Sequence, residues 1–150
     1  MTAIRQITND TPVIYGGIQW NSVKTLKLLE VPMDSNTIFT FHFYEPLLFT
    51  HQKAHWVEKM DKNKTIEYPG QMQDYRKESE VLGYQGEVVI KAHSNTMGEE
   101  FIREMVQEAV QAAANAGVGL YCGEFGVIDQ APLIDTLRWF KDVNTVFREN

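Results

Sequence analysis

Residues 117–127 read GVGLYCGEFGV, and this stretch decides the fold. It begins with a helix-stopping glycine, continues as a short β-prone apolar run and ends with a carboxylate, Glu124, between two nearby glycines. Side chains alternate along a strand, so one face is predicted to be buried and mostly apolar. That face would carry Val118, Leu120, Cys122 and Glu124. A charge there is costly unless it is hydrogen-bonded or has a chemical role.

Two interpretations of Glu124 are open from the pattern alone. The flanking glycines, Gly123 and Gly126, leave room for another molecule to approach the carboxylate, which favours a functional site. The alternative is a strand-end glutamate that a neighbouring Arg or Tyr holds, or that solvent hydrates.

The composition limits the function classes. The chain has 150 residues, enough for one domain with a core, and 20 acidic against 14 basic residues give a net charge of −6. No basic stripe is present, so nucleic acid is not the expected partner. No apolar run approaches the roughly 18 residues of a membrane span. The single cysteine, Cys122, excludes an internal disulfide and is expected to be a small buried apolar side chain.

Strands and helices are predicted to alternate, which indicates parallel βαβ units. A long, weakly periodic segment, Leu47–Gly86, interrupts them, with a helical turn or two expected around Gln71–Glu80. The remaining predicted elements are a helix end over residues 1–8, a strand Val13–Tyr15 closed by Gly16-Gly17, a helix from Val23 to about Leu29 capped by Asn21 or Ser22, a strand Thr37–Tyr44, a helix Glu99–Ala116 capped by Asn95 or Thr96, the strand of residues 117–127, and a helix Leu133–Phe147.

The strand at Thr37–Tyr44 has two distinct faces, which is typical of a barrel or a covered parallel sheet. One face is Phe39, Phe41 and Phe43, and the other is Ile38, Thr40, His42 and Tyr44. The two long helices also have apolar stripes. The first stripe is Phe101, Met105, Ala109, Ala112 and Ala116, and the second is Leu133, Leu137, Phe140, Val143 and Phe147. Trp139 on the last helix is expected to pack in a core or an interface.

Several motifs, in order along the chain, resemble those of glycoside hydrolase family 5, the cellulase family. They are Gly16-Gly17 with Trp20, Phe41-His42-Phe43-Tyr44-Glu45-Pro46, Phe49-Thr50-His51-Gln52 with Ala54 and Trp56, Tyr68-Pro69-Gly70, and Tyr121-Cys122-Gly123-Glu124-Phe125-Gly126-Val127. The resemblance covers essentially the whole chain. It implies an α/β fold that is part of a (β/α)₈ TIM barrel, roughly strands 5 to 7 with their helices, and residues 1–150 as a partial catalytic domain.

The resemblance also implies roles for residues. Glu124 matches the catalytic nucleophile of a retaining glycosidase, Tyr44 the tyrosine that hydrogen-bonds it, and His42 a histidine that lines the sugar site. Trp20 and Trp56, and also Tyr68, are candidates to line sugar subsites, with packing of the loops as the alternative. His51 is expected to hold a loop. The implied partner is a β-glucan polysaccharide, reached by secretion, and we expect no cofactor and no catalytic metal.

The chain departs from the family pattern at the acid/base residue. It contains no Asn-Glu-Pro, and Glu45-Pro46 follows the His-x-Tyr strand, so Glu45 is not assigned as the acid. The family's eighth strand would follow Asn150. We therefore expect the nucleophile-bearing part of a retaining endo-β-1,4-glucanase, inactive alone, that self-associates or is completed by the rest of the barrel. The alternative is a non-catalytic fragment that at most binds glucan.

Overall fold

The computed structural model describes residues 2–150. Its strands are β1 (Val13–Gly16), β2 (Thr37–Phe43), β3 (Gly70–Gln71), β4 (Thr96–Met97) and β5 (Gly119–Phe125). Its helical segments are α1 (Thr2–Arg5), α2 (Ile18–Asn21, which is a left-handed turn), α3 (Leu47–Thr50), α4 (Met72–Ser79), α5 (Glu87–Lys91), α6 (Glu99–Ala116) and α7 (Leu133–Arg148). Two 3₁₀ helices span Val23–Leu28 and Glu80–Gln85. No helix of this described part is long and apolar enough to span a membrane.

Three strands form a parallel sheet in the order β1-β2-β5. Parallel neighbours need crossover connections, and helical segments supply them here, as the predicted alternation requires. The predicted α/β fold with a parallel sheet is confirmed. A separate antiparallel pair, β3 with β4, was not predicted because each strand has only two residues.

The chain divides into two compact units. The first contains the chain up to Phe43 together with Val106–Phe125, and thus the whole parallel sheet. In this unit the two faces of β2 are as predicted: Phe39, Phe41 and Phe43 are buried, while Ile38, Thr40 and His42 are half-buried. The phenylalanine face supplies the apolar core that holds the sheet, and the other face is left accessible.

The second unit contains Tyr44–Met105 and Gly126–Asn150. Its long segment is held by buried polar contacts rather than by long helices. The buried amide of Gln52 donates to the carbonyl of Ile66 at 3.1 Å and accepts from its N–H at 3.0 Å. The hydroxyl of Tyr68 donates to Asp142 of α7 at 2.8 Å. The expected helical turns near residues 71–80 are α4, whereas α5 was not predicted.

The long helices match the predicted bounds, but not all predicted faces and caps. Helix α6 has the predicted limits, and Gly117 ends it with a φ of +67°, which favours glycine. The cap differs, because Glu100 accepts hydrogen bonds from Asn95 and Thr96. Along α6 the predicted stripe is buried at Phe101, Met105 and Ala109 but only half-buried at Ala112 and Ala116.

The predicted apolar face of α7 is wrong except at Val143, which is buried. Leu133 and Leu137 are 70% and 56% exposed, and the buried side chains are instead Asp135, Trp139, Val143 and Val146. Both sets have helical spacing, so periodicity could not separate them. The buried face of α7 is the one that contains Trp139. This side chain is fully buried, and its Nε1–H donates to the carbonyl of Glu45 at 3.0 Å. The expectation that Trp139 packs in a core is confirmed.

Candidate active site

The carboxyl ends of β2 and β5 bring His42 and Glu124 together. The parallel register runs from Ile38 opposite Gly119 to Phe41 opposite Cys122, and then shifts so that His42 lies opposite Glu124. Gly123 is therefore an extra residue in β5, a bulge that changes which face the following residue occupies. The predicted sharing of one face by Cys122 and Glu124 is wrong for this reason.

The two side chains are in direct contact. Nδ1 of His42 lies 3.3 Å from Oε2 of Glu124, and the side chains are 21% and 54% exposed, respectively. The strand-end carboxylate is thus accessible, not set in a buried face as predicted. The other members of that predicted face, Val118, Leu120 and Cys122, are half-buried. A carboxylate that is 54% exposed beside an imidazole is accessible to a ligand from solvent.

Gly123 lies close to β2 and has no room for a side chain. A Cβ at this position would lie 2.9 Å from Oγ1 of Thr40 and 3.6 Å from the ring of His42. The glycine of this motif therefore serves the strand contact as well as the bulge. The sequence predicted that Gly123 leaves room for a ligand. In the structure, that room is instead taken by the close approach of Thr40 and His42 of β2.

A left-handed turn carries Trp20 and Asn21 beside β2. The backbone φ angles of Gln19, Trp20 and Asn21 are 53°, 55° and 57°. Residues other than glycine rarely adopt this left-handed region. Trp20 is 72% exposed, and Nδ2 of Asn21 lies 3.2 Å from Nε2 of His42. Ser22 occupies the predicted N-cap position of the following 3₁₀ helix, but no side-chain hydrogen bond caps that helix.

Tyr44 and Trp56, in the second unit, both pack on His51. Their ring centroids lie 5.1 Å and 6.4 Å from that of His51, edge to face, and His55 packs on Trp56 in the same way at 4.8 Å. Nδ1 of His51 also lies 3.0 Å from the hydroxyl of Thr50, as a loop-holding histidine requires. Burial lowers the pKa of His51, which keeps the ring neutral. Trp56 is 61% exposed, so this aromatic cluster presents a ring to solvent.

Two further residues have structural positions. Tyr68 is 1% exposed, so the suggestion that it lines a sugar subsite is wrong. The carboxylate of Glu45 accepts a hydrogen bond from the N–H of Leu47 at 3.2 Å, at the start of α3. A glutamate that accepts from a helix's first N–H groups is a local helix-start contact, which agrees with leaving Glu45 unassigned as the acid.

Cys122 is half-buried and is held as a thiol. Burial raises its pKa to about 11, and its Sγ lies 3.3 Å from the carbonyl oxygen of Glu124. A nucleophilic cysteine needs a lowered pKa, so Cys122 does not have the environment of a nucleophile. Among residues 2–150, no group of three or more His, Cys, Asp or Glu side chains is arranged to hold a metal ion.

Comparison with known families accounts for the arrangement of these strand ends. A family model described as cellulase (glycosyl hydrolase family 5) matches residues 1–146. The chain belongs to this family. Its three parallel strands with their helices are part of the (β/α)₈ barrel on which the family is built, in which functional side chains lie at the carboxyl ends of the strands.

Relatives and solved structures agree with the family. The chain is 34% identical over 151 residues to Endoglucanase C of Acetivibrio thermocellus, and 32% identical over 147 residues to Cellodextrinase A of Ruminococcus flavefaciens. These matches cover 98% of this chain but 43% and 37% of the two relatives. Endoglucanase Cel5A of Thermotoga maritima superposes with a TM-score of 0.70 at 25% identity, over 99% of this chain and 40% of that structure. The chain therefore spans less than half the length of these relatives.

The sequence singled out His42, Tyr44 and Glu124 but not Asn21, whose amide lies beside His42. The signal for Asn21 was present in Gly16-Gly17, because an added Cβ at Gly16 would lie 2.4 Å from Oδ1 of Asn21. Two consecutive glycines after a short strand indicate that something approaches the backbone closely. What approaches cannot be read from the sequence, because it depends on three consecutive left-handed residues, of which Gln19 and Trp20 have no preference for that conformation.

Proposed function

We propose that this chain is the nucleophile-bearing part of a retaining endo-β-1,4-glucanase, with Glu124 as the nucleophile. The observation that carries the proposal is the pairing of His42 with Glu124 at the carboxyl ends of adjacent parallel strands, 3.3 Å apart, in a family 5 chain. The names of the relatives, Endoglucanase C and Cellodextrinase A, support a β-glucan or cello-oligosaccharide substrate.

The proposed chemistry uses Glu124 as an ionised carboxylate. One oxygen attacks the anomeric carbon while the bond to the leaving glycosidic oxygen breaks, which gives a covalent glycosyl–enzyme ester. A protonated carboxyl outside this chain gives the leaving oxygen its proton and then, as a base, takes one from the water that cleaves the ester. An imidazole N–H of His42 directed at Glu124 stabilises its negative charge. Tyr44 is proposed as a second donor to the same carboxylate.

Exposed aromatic rings are proposed to bind the glucan. Sugar rings stack on flat apolar faces, and Trp20 and Trp56 expose 72% and 61% of their surface. His51 and His55 support Trp56 from two sides, which limits its freedom before a ligand arrives. A polymer substrate too large to enter a cell further implies that the protein acts after export.

The parallel sheet is proposed to be completed by further barrel strands. Among the described residues, β1 and β5 are its edges, and each pairs with β2 only. Unpaired edges pair readily with other strands. The relatives are more than twice as long as this chain, so the missing strands and the acid are supplied either by further barrel sequence or by association of copies.

A second candidate is a chain that binds glucan without cutting it. The solvent-facing Trp56 cluster favours this for the chain by itself, because binding needs no acid residue. Titration with cellohexaose, followed calorimetrically, tests it. Trp56→Ala should weaken binding by roughly 0.5–1.5 kcal/mol, about a factor of two to ten. Unchanged affinity in this variant would remove Trp56 from the binding surface.

The catalytic proposal is tested by grafting. This chain replaces the matched segment of Endoglucanase C of Acetivibrio thermocellus, whose remaining part supplies the other strands, and hydrolysis of carboxymethylcellulose is measured. We expect an active graft that Glu124→Gln inactivates by at least about a thousandfold, as loss of a nucleophile does. Glu45→Gln, the matched control, should stay within about tenfold of the unsubstituted graft. An active Glu124→Gln graft would refute the proposal.

A further inference from the structure

We infer that Asn21 is a positioning residue for the His42–Glu124 pair: its amide sets the tautomer of the imidazole and so directs a ring N–H at the carboxylate. The observation behind this is a continuous row of side chains in one compact unit, from the turn before the first 3₁₀ helix to the end of β5. Any effect of Asn21 on catalysis rests on the proposed function of Glu124, whereas the predicted tautomer of His42 does not.

The row consists of two contacts to opposite sides of one ring. Nδ2 of Asn21 lies 3.2 Å from Nε2 of His42, and Nδ1 of His42 lies 3.3 Å from Oε2 of Glu124. An amide nitrogen only donates, and an ionised carboxylate only accepts. A neutral imidazole satisfies both neighbours when Nε2 accepts from Asn21 and Nδ1 carries the proton. The amide and the carboxylate therefore select the same tautomer.

Reversing the amide would set the two contacts against each other. With Oδ1 of Asn21 against Nε2, a neutral ring would place its proton on Nε2 and leave a lone pair on Nδ1 facing the carboxylate. A lone pair on Nδ1 and the negative charge of the carboxylate repel each other, so this orientation of the amide would require a doubly protonated ring. The orientation in the structure needs no such charge.

The backbone that places the Asn21 amide beside His42 has an unfavourable, left-handed conformation. Gln19, Trp20 and Asn21 are consecutive left-handed residues, and such strain persists only where the surroundings determine it. Those surroundings are specific. A Cβ at Gly16 would lie 2.4 Å from Oδ1 of Asn21, and one at Gly17 would lie 2.1 Å from Oγ1 of Thr25. Two side chains thus occupy the space that the glycine pair leaves.

The far end of the turn is also fixed. The hydroxyl of Thr25 lies 2.9 Å from the carbonyl of Ile18 and 2.8 Å from that of Ser22, and Thr25 is buried. The backbone of Ser22 forms a parallel bridge with that of His42. The turn is therefore tied to the same residue of β2 whose ring it contacts, which keeps the amide and the imidazole in register.

Nitrogen NMR of the full chain tests the tautomer without any hydrolysis. Two-bond ¹⁵N–¹H spectra at roughly pH 8.5, where an ordinary imidazole is neutral, are assigned with a His42→Gln variant. We expect the proton of His42 on Nδ1. Asn21→Gly removes the amide while tolerating the left-handed backbone, so only the carboxylate then selects Nδ1–H and the share of the Nε2–H tautomer should rise above that of the wild type. Asn21→Asp places an acceptor against Nε2 and should move a proton there.

A matched control separates the amide from the turn. Gln19→Gly relieves the same kind of strain in the same turn but keeps Asn21, so the Nδ1–H tautomer should remain. A wild-type ring protonated on Nε2, or an Asn21→Gly spectrum identical to that of the wild type, would overturn the inference. Survival of hydrolysis in the Glu124→Gln graft would refute the proposed function and leave this result untouched.

Discussion

At the scale of single residues, Gly16 matters through the side chain that it lacks. A Cβ there would lie 2.4 Å from Oδ1 of Asn21 and 2.5 Å from the carbonyl of Thr40. The backbone carbonyl cannot move aside cheaply, so Gly16→Ala should lower the free energy of unfolding by about 1–3 kcal/mol. Urea denaturation followed by circular dichroism measures this.

Gly119 provides the control for that substitution. It lies in β5 of the same sheet, and a Cβ there would meet its nearest neighbour, a methylene of Ile38, at an ordinary 3.6 Å. Gly119→Ala should therefore change the unfolding free energy by no more than about 0.5 kcal/mol. Equal losses in the two variants would contradict the close approach at Gly16.

The thiol of Cys122 is a second residue whose behaviour follows from its surroundings. Burial raises its pKa from 9.0 to about 11, so at pH 8 the reactive thiolate fraction is about a hundredfold lower than in an unshifted thiol. Alkylation by iodoacetamide at pH 8 should be slower by about that factor than in the urea-unfolded chain. Because the neutral form is the one stabilised on folding, this contribution to stability is present below pH 9 and is lost as the pH rises through 11.

Mass spectrometry of quenched samples gives the alkylation rates. A folded chain alkylated as fast as the unfolded one would show that the thiol is freely ionisable and that β5 does not shelter it.

The residue pattern predicted the geometry of the two strand ends only in part. Alternation along β2 correctly placed His42 on the accessible face, because that strand is regular. The same rule failed for Glu124, because the bulge at Gly123 adds one residue between Cys122 and Glu124. A bulge depends on the register of two strands distant in sequence, and the sequence of one strand does not contain that register.

At the scale of elements, Tyr68 ties the long segment to α7. Its ring is 1% exposed, and its hydroxyl donates to Asp142, whose pKa burial raises. Tyr68→Phe keeps the ring but leaves a partly buried carboxylate without this donor. We expect a loss of about 1–2 kcal/mol in the free energy of unfolding.

Tyr84→Phe is the matched control, because Tyr84 is 60% exposed and loses the same hydroxyl. Guanidinium denaturation of both variants gives the comparison. If Tyr68→Phe were as stable as Tyr84→Phe, the hydrogen bond to α7 would not hold the segment.

The elements that were predicted well are those with their own end signals. The limits of α6 followed from acidic residues in its first turn and Gly117 after its last. Short elements such as α5 and the β3–β4 pair have no such signals and owe their form to the second unit around them. The face of α7 was missed for a different reason, since the helix buries Trp139 and leaves Leu133 and Leu137 exposed.

At the scale of the whole molecule, the sheet leaves two edges for other strands. On β1, Ile14 is 53% exposed, and on β5, Tyr121 is 54% exposed. Exposed apolar edges favour association, so the chain alone should form oligomers whose mass rises with concentration in light scattering. Ile14→Lys should reduce this association. A single monomeric mass at all concentrations would contradict association of copies through these edges.

The central claim is that Glu124 is the nucleophile, and covalent labelling tests it most directly. The grafted barrel is incubated with 2,4-dinitrophenyl 2-deoxy-2-fluoro-β-cellobioside. Its leaving group departs without an acid, and its fluorine slows cleavage of the ester, so the glycosyl–enzyme should accumulate. Intact-mass and peptide analysis should find one 2-deoxy-2-fluorocellobiosyl adduct, on Glu124, and none in the Glu124→Gln graft. An adduct on another carboxylate, or an active graft that acquires none, would contradict the claim.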